Sequence, residues 1–377
     1  MMIAAEASSA HYAAQLLKYW RAEKKDYDFF GVGSLEMESL GFRRLGKSEE
    51  MAVVGIAEIF ENLQLIRGVF HALVAEAKNS PPDAVLLMDY PDFNLRLAKK
   101  LKAMGIKVFY YISPQVWAWR KNRIHDIKAY CEKVFLLFPF EKKFYDRFQV
   151  PNEFVGHPLL EDLDPELFDS EKIQWRRRQY GVQPQEKILA LMPGSRKGEV
   201  EQHMHIQLQV AEKLMQEFPH LRLFIFVAPP LSKEYIQQKL DHFKPSYVLM
   251  KEDPNKMIAL ADYILVASGT ATLMVGLLEK PMVIMYRVKW ITGVIGQWLT
   301  RGLKYFGLVN LVLDREVVPE RKQEQANVEE LTRLMRQYIV SDEHTQKTIQ
   351  ELKKLRFSLG DVGATARVAN SLEKYLG

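Results

Sequence analysis

Cysteine is almost absent. A single residue, Cys131, in 377 excludes an internal disulfide and a cysteine-based zinc site. It precedes an apolar run, which points to a buried structural thiol rather than a nucleophile. Also missing is any stretch of the ~18 apolar residues that a membrane span requires. Met1 to Ala5 run directly into Glu6, without the basic start and long apolar core of a signal peptide. A protein made and kept in the cytosol is therefore expected, one still able to lie on a membrane surface. None of the nine histidines belongs to a His-Glu-x-x-His set, and no short-period repeat or low-complexity tract occurs.

What is present is ordinary globular material. Hydrophobic residues make up 48% and charged residues 26%, which excludes a disordered chain. The length exceeds the usual limit of one core, so two domains are expected. The net charge of +5 and pI near 8.9 suit a phosphorylated or membrane-bound anionic partner, and equally suit a plain solvated surface. No nucleic-acid partner is expected.

Short apolar runs alternate with amphipathic stretches, the pattern of βα units and parallel sheets. In the first half the strand candidates are 2–5, 29–32, 84–88, 107–112 and 134–138. A helix is expected over 94–104, where Leu95, Ala98, Leu101 and Lys102 follow helical spacing. The second series is 187–192, 221–227, 247–250, 263–266 and 282–285, and the last stretch reads as polar helix. The expected fold class is α/β, with two Rossmann-like domains facing a central cleft, the GT-B glycosyltransferase architecture; kinases and epimerases share such geometry. The expected division is 1–162, 163–340 and a helical segment 341–377 that packs back on the first domain or on a partner.

Two strand–loop–helix joints suit phosphate. Pro193-Gly194-Ser195-Arg196 combines a glycine turn, amides at a helix start and a planar guanidinium. Ala267-Ser268-Gly269-Thr270-Ala271-Thr272 offers small residues and hydroxyl donors. Either loop alone reads equally as a capped helix with tight packing. Together they favour a nucleotide-sugar diphosphate held by helix ends without a metal, since no Asp-x-Asp pair lies beside them.

In the first half, Asp89 closes a buried strand, where a carboxylate can take a proton from an attacking hydroxyl. A structural carboxylate bonded to loop amides is an equal reading. Asp92 is expected to be the N-cap of the next helix. Trp117 and Trp119, beside Arg120, Lys121 and Arg123, suit one wall of a sugar or lipid pocket, or else pin a loop to the core. His157 reads as a substrate contact or as a structural histidine. Ile56, Ile59, Phe60, Leu63, Ile66, Phe70, Leu73 and Val74 form one helical stripe, which fits core packing or an interfacial helix. The stretch 290–306 is a second membrane-facing candidate.

In order along the chain, Asp89-Tyr90-Pro91-Asp92-Phe93-Asn94, Ser113 through Arg120, Pro139-Phe140-Glu141 with Phe144-Tyr145, Phe154 through Pro158, Leu191 through Arg196, Ala267 through Thr272 and Arg315 through Glu320 together resemble the lipid-A-disaccharide synthases. The resemblance covers essentially the whole chain. It implies an inverting two-domain transferase without metal or cofactor. The substrates would be UDP-2,3-diacylglucosamine and 2,3-diacylglucosamine 1-phosphate, and the products UDP and a β-1,6 disaccharide. It assigns Asp89 as the suspected base and Arg196 as an arginine needed for activity. UDP would be bound by Gly194, Ser195, Arg196, Ser268, Gly269, Thr270, Ala271 and Thr272. On the acceptor and lipid side it points to Glu6, Ser8, Ser113, Trp117, Trp119, His157 and Asn310. Members are peripheral on the cytoplasmic leaflet of the inner membrane, and some form homodimers that exchange C-terminal segments.

Two departures stand out. The family's opening Ala-Gly-Glu-x-Ser-Gly-Asp is here Ala4-Ala5-Glu6-Ala7-Ser8-Ser9-Ala10, and a common glutamate after Thr272-Leu273 is here Met274. Beside an active synthase, they leave open a non-catalytic relative that binds lipid or nucleotide sugar; another UDP-sugar transferase or epimerase is the third reading.

Overall fold

Parallel strands covered on both faces read as unbroken apolar runs, and the runs of this chain build two such sheets. The structure, a computed structural model, describes residues 1–51, 56–117, 120–287 and 304–376, without the side chains of 56–62. The first sheet comprises β1 (Met2–Ala4), β2 (Phe30–Gly33), β3 (Arg43–Lys47), β4 (Ala84–Met88), β5 (Lys107–Tyr111), β6 (Lys133–Leu136) and β7 (Asn152–Phe154). Their order is β3-β2-β1-β4-β5-β6-β7, and every pairing is parallel. The second comprises β8 (Lys187–Met192), β9 (Leu221–Phe226), β10 (Tyr247–Met250), β11 (Tyr263–Ala267), β12 (Met282–Tyr286) and β13 (Glu320–Lys322). It runs β10-β9-β8-β11-β12-β13, again all parallel.

Both orders reverse direction once, between β1 and β4 and between β8 and β11. At such a switch point the loops leaving the two central strands diverge to opposite faces and open a crevice beyond their carboxyl ends. In the first sheet those loops begin at Ala5 and Asp89, because Ala4 pairs with Met88. In the second they begin at Pro193 and Ser268, because Met192 pairs with Val266.

The described chain divides into two compact units, residues 1–161 with 359–377, and residues 162–358. The helix Ala364–Glu373 therefore belongs with the first unit, whereas Val328–Val340 and Asp342–Ser358 belong with the second. Val368, Ala369 and Leu372 of that last helix are buried, and burying a side chain such as valine or leucine contributes roughly 1.5–3 kcal/mol. Polar ties complete the docking: Lys25 pairs with Glu373 at 3.1 Å, and the Ser371 hydroxyl donates to Glu153 at 2.8 Å.

The helix Ile56–Asn79 supplies the expected stripe. Leu73, with Val69 and Ala77, is buried, and Ile66, Phe70 and Val74 pack against the first core, so this part of the stripe is core. Leu63 is exposed, and the side chains of Ile56, Ile59 and Phe60 lie outside the description. Residues 288–303, most of the second membrane-facing candidate, and Trp119 also lie outside the described residues. Among the described residues no helix is long and apolar enough to cross a membrane. Cys131 is buried, and burial pushes its thiol up to about 12.

Candidate functional site

At the first switch point the backbone is bent against its preference. Asp89 and Tyr90 both have left-handed φ, at 49° and 44°, and Ile112 at the end of β5 has φ 58°. Non-glycine residues seldom adopt this region, and a β-branched one is a genuine outlier. Hydrogen bonds hold the turn. The Asp89 N–H donates to the Ile112 carbonyl at 3.1 Å. The Asp89 carbonyl accepts from the Tyr110 hydroxyl and from Asn94 Nδ2, both at 2.6 Å. Asn94, fully buried, also reaches the Met88 carbonyl at 3.1 Å. Strain that the surroundings overdetermine in this way clusters at functional sites, and here it presents the half-buried Asp89 carboxylate beyond the sheet.

Asp92 is not the N-cap. Pro91 takes the first helical position, where its missing N–H is no loss, so Tyr90 precedes the helix Pro91–Ala103. Asp92 instead pairs with Arg120, at 3.1 Å, and with Arg123. Burial first, then the carboxylates of Glu6 and Asp92, raise the Tyr90 phenol above its usual range, which places Glu6 in the same neighbourhood. Glu6 starts the helix Ala7–Ala22. The Ser9 hydroxyl accepts from its N–H at 3.1 Å and donates to its carbonyl at 2.9 Å. Ser9 and Ala10, two departures from the family opening, are both buried; Ser8 is half-buried.

The remaining first-unit candidates are held from within. The Ser113 hydroxyl bonds the buried Tyr145 hydroxyl. Trp117 Nε1 donates to Glu141 at 3.2 Å, and its ring meets Phe140 edge-on at 4.9 Å. Glu141 also accepts the N–H groups of Leu137 and Phe138; burial outweighs these donors and pushes its carboxyl up to about 7. His157 is 3% exposed, packs against Tyr12 and Phe138, and accepts the Leu159 N–H at 3.2 Å. Burial lowers its imidazole to about 3, so at neutral pH the ring is uncharged.

In the second unit, Gly194 has φ 129°, and a Cβ there would lie 2.5 Å from Glu199 Cβ. Glycine is required, since only it tolerates both this conformation and the close approach. Ser195 and Arg196 then lead into the helix Lys197–Glu217. Glu199 Oε2 accepts the N–H of Ser195 at 2.8 Å and of Arg196 at 3.3 Å, and Oε1 accepts from the Arg196 guanidinium at 3.3 Å. One carboxylate thus gathers the donors that the sequence reserved for phosphate. Two further residues were not anticipated. His203 Nδ1 meets the Pro193 carbonyl at 3.0 Å while Nε2 accepts the Arg287 N–H at 3.0 Å. Gln207 Nε2 donates to the carbonyls of Met192 and Leu265, both at 3.3 Å. Their spacing from Glu199, four and eight residues, was the available signal.

The second loop leaves Gly269, Thr270 and Ala271 exposed at the start of the helix Ala271–Leu277, with Ser268 half-buried. Thr272 is buried and its hydroxyl donates to the Gly269 carbonyl at 2.8 Å. Met274 is 5% exposed and packs in the core. Asn310 lies in the second unit, fully buried: its Nδ2 reaches Val318 O and Glu320, and its Oδ1 accepts from Val317 and Val318. Glu320 also accepts the N–H groups of Phe306 and Gly307. Among the described residues no group of three or more His, Cys, Asp or Glu is placed to hold a metal ion.

Comparison with known proteins matches residues 1–371 to the family described as lipid-A-disaccharide synthetase. A lipid-A-disaccharide synthase of Myxococcus xanthus is 33% identical over 377 residues, covering 100% of this chain and 97% of that one. One from Pseudoalteromonas translucida is 36% identical over 370 residues, covering 97% and 95%. In fold, the chain is similar to a UDP-GlcNAc 2-epimerase from Neisseria meningitidis bound to UDP-GlcNAc (TM-score 0.66, 12% identity, 99% of both chains). It is similar also to a calicheamicin glycosyltransferase (TM-score 0.60, 13% identity, 100% and 96% covered).

Proposed function

Because the chain belongs to the lipid-A-disaccharide synthetase family, and so is a glycosyltransferase of lipid A biosynthesis, we propose an inverting, metal-independent mechanism built on Asp89 and Arg196. The acceptor's 6-hydroxyl attacks the anomeric carbon of UDP-2,3-diacylglucosamine from the face opposite the diphosphate. Asp89 takes the hydroxyl proton, the bond to the diphosphate oxygen breaks, and UDP leaves with the electron pair. Arg196 meets the charge that grows on that oxygen, joined by the Ser195 and Arg196 amides as Glu199, which holds them, swings aside. Gly269, Thr270 and Ala271 complete the diphosphate cradle. The first unit receives 2,3-diacylglucosamine 1-phosphate, with Glu6, Ser8 and Ser113 on its side. Trp117 and His157, each held by its neighbours, keep that wall in shape. Both substrates are acylated, so the protein works at a lipid surface, the cytoplasmic leaflet of the inner membrane; a homodimer belongs to the same reading.

The observation that carries this proposal is the pair of consecutive left-handed residues, Asp89 and Tyr90, held by hydrogen bonds at the switch point of the first sheet. Asp89→Asn should reduce UDP release by 10²-fold or more, on the order of a general base's contribution, with UDP affinity unchanged and activity insensitive to EDTA. Turnover surviving in that variant would remove Asp89 from the mechanism. A second reading, a relative that binds but does not catalyse, is favoured by buried Met274 in place of the family's glutamate; it predicts UDP binding with no product from the two acylated substrates.

A further inference from the structure

The helix Lys197–Glu217 carries Val200, Met204, Ala211 and Leu214 in the core of the second unit, yet His203 and Gln207 are buried with them at 1% and 0% exposure. An unpaired polar group in such a place costs about 1–3 kcal/mol, and an apolar side chain would pack there without that requirement. With Glu199 the two form one face, each member four residues from the next. Every member is directed at the carboxyl edge of the second sheet. Glu199 takes the amides after β8, His203 joins Pro193 after β8 to Arg287 after β12, and Gln207 joins the carbonyls of β8 and β11.

We propose that Glu199, His203 and Gln207 act as one positioning line that presets the donor-phosphate loop, with His203 as its central member in the Nδ1–H tautomer. The tautomer follows from the partners. The Arg287 N–H can only donate, so Nε2 is the bare acceptor; the Pro193 carbonyl can only accept, so Nδ1 carries the hydrogen. A ring in this state ties the start of the Gly194–Arg196 loop to the end of β12. Burial, which lowers the imidazole pKa, keeps it from becoming an imidazolium, which would have no lone pair for Arg287. Glu199 finishes the arrangement: its carboxylate holds the Ser195 and Arg196 amides and the guanidinium at one point, and it swings aside when a phosphate takes those donors, since each amide carries one hydrogen. The donor phosphate then meets groups already oriented, and the ordering cost of binding falls. This inference rests on the reading that the donor diphosphate binds at Gly194–Arg196.

The test replaces His203 with methionine, which fills the buried volume without hydrogen bonds, and with asparagine, which keeps the link to Pro193. His203→Met should weaken UDP binding and raise the donor KM by about tenfold, the equivalent of one hydrogen bond's ordering. Acceptor KM and kcat at saturating donor should stay within about twofold, and His203→Asn should recover part of the loss. A folded His203→Met with unchanged donor KM and UDP affinity overturns the proposal. Long-range 15N–1H spectra of the unaltered protein give a second measurement: a protonated Nδ1 and bare Nε2 at His203 support it, and an Nε2–H tautomer overturns it even if the methionine variant fails to fold. Arg196→Ala separates the two levels. If it binds UDP as the unaltered protein does, the underlying donor-site reading fails; if it loses UDP while His203→Met keeps it, only the positioning line fails.

Discussion

Replacing Asn94 with leucine removes a buried amide of similar volume and leaves the Asp89 carboxylate untouched. Two left-handed residues at Asp89 and Tyr90 cost on the order of 1–3 kcal/mol each. Four hydrogen bonds oppose that strain, two from Asn94, one from Tyr110 and one from the Asp89 N–H. At about 1 kcal/mol apiece they contribute about 4 kcal/mol in all, comparable to the strain. Losing two leaves about 2 kcal/mol, too little to hold the turn, so the backbone relaxes toward extended geometry and carries the carboxylate with it. A displacement of about 1 Å costs on the order of 10²-fold in rate. The released strain meanwhile offsets the lost bonds, so stability should change by less than about 1 kcal/mol. Tyr110→Phe, which removes one bond, should give a smaller rate loss. UDP release and thermal unfolding, measured on the same preparations, read both quantities. If Asn94→Leu unfolds several degrees lower yet keeps its kcat, the bonds support only the fold and the strained-turn argument is wrong.

Gly194→Ala should cost more than about 1 kcal/mol, since alanine fits neither the left-handed backbone nor the space beside Glu199, and UDP titration should show weakened binding; full affinity would mean the loop can move aside. His157 gives a pH signature. Its folded pKa, near 3 against an ordinary 6.5, means stability is complete above pH 6.5 and is lost as pH falls toward 3. The loss is about 1.4 kcal/mol per pH unit, or about 2 kcal/mol by pH 5. His157→Phe should cost about 1 kcal/mol at pH 7 by leaving the Leu159 N–H unpaired, but should escape the acid loss of about 2 kcal/mol by pH 5; an equal fall in unfolding free energy between pH 7 and 5 for both proteins would refute the buried neutral ring.

Of the thirteen strands among the described residues, ten were legible: nine lie inside a sheet, where a parallel strand must be apolar on both faces, and the tenth, the edge strand β10, keeps the apolar run Tyr-Val-Leu-Met. The three that were not, β3, β7 and β13, are all edge strands, and they read Arg-Arg-Leu-Gly-Lys, Asn-Glu-Phe and Glu-Arg-Lys. These three edges are half open to water and carry charge that discourages further pairing, so they lose the pattern that reveals their neighbours. At the site, the loops at Asp89, Gly194 and Ser268 were visible because glycine, proline and small hydroxyl residues punctuate strand ends. Their supports were not. Asn94 and Tyr110 look like ordinary members of a helix and a strand. Glu199, His203 and Gln207 look like a solvated helix face, until the sheet places two of the three under cover.

The docking of Ala364–Glu373 on the first unit has a bearing on how the chain comes into being. Lys25 meets Glu373 across 348 positions, and Tyr19 meets Asn370 across 351. A nascent chain emerges from its N-terminus at roughly 5–20 residues per second. The opening half therefore waits tens of seconds, on this scale, for the segment that closes over its first helix. The central unit, continuous from Asp162 to Ser358, can complete itself in the interval. The first part of the protein to be synthesised is thus the last to be finished.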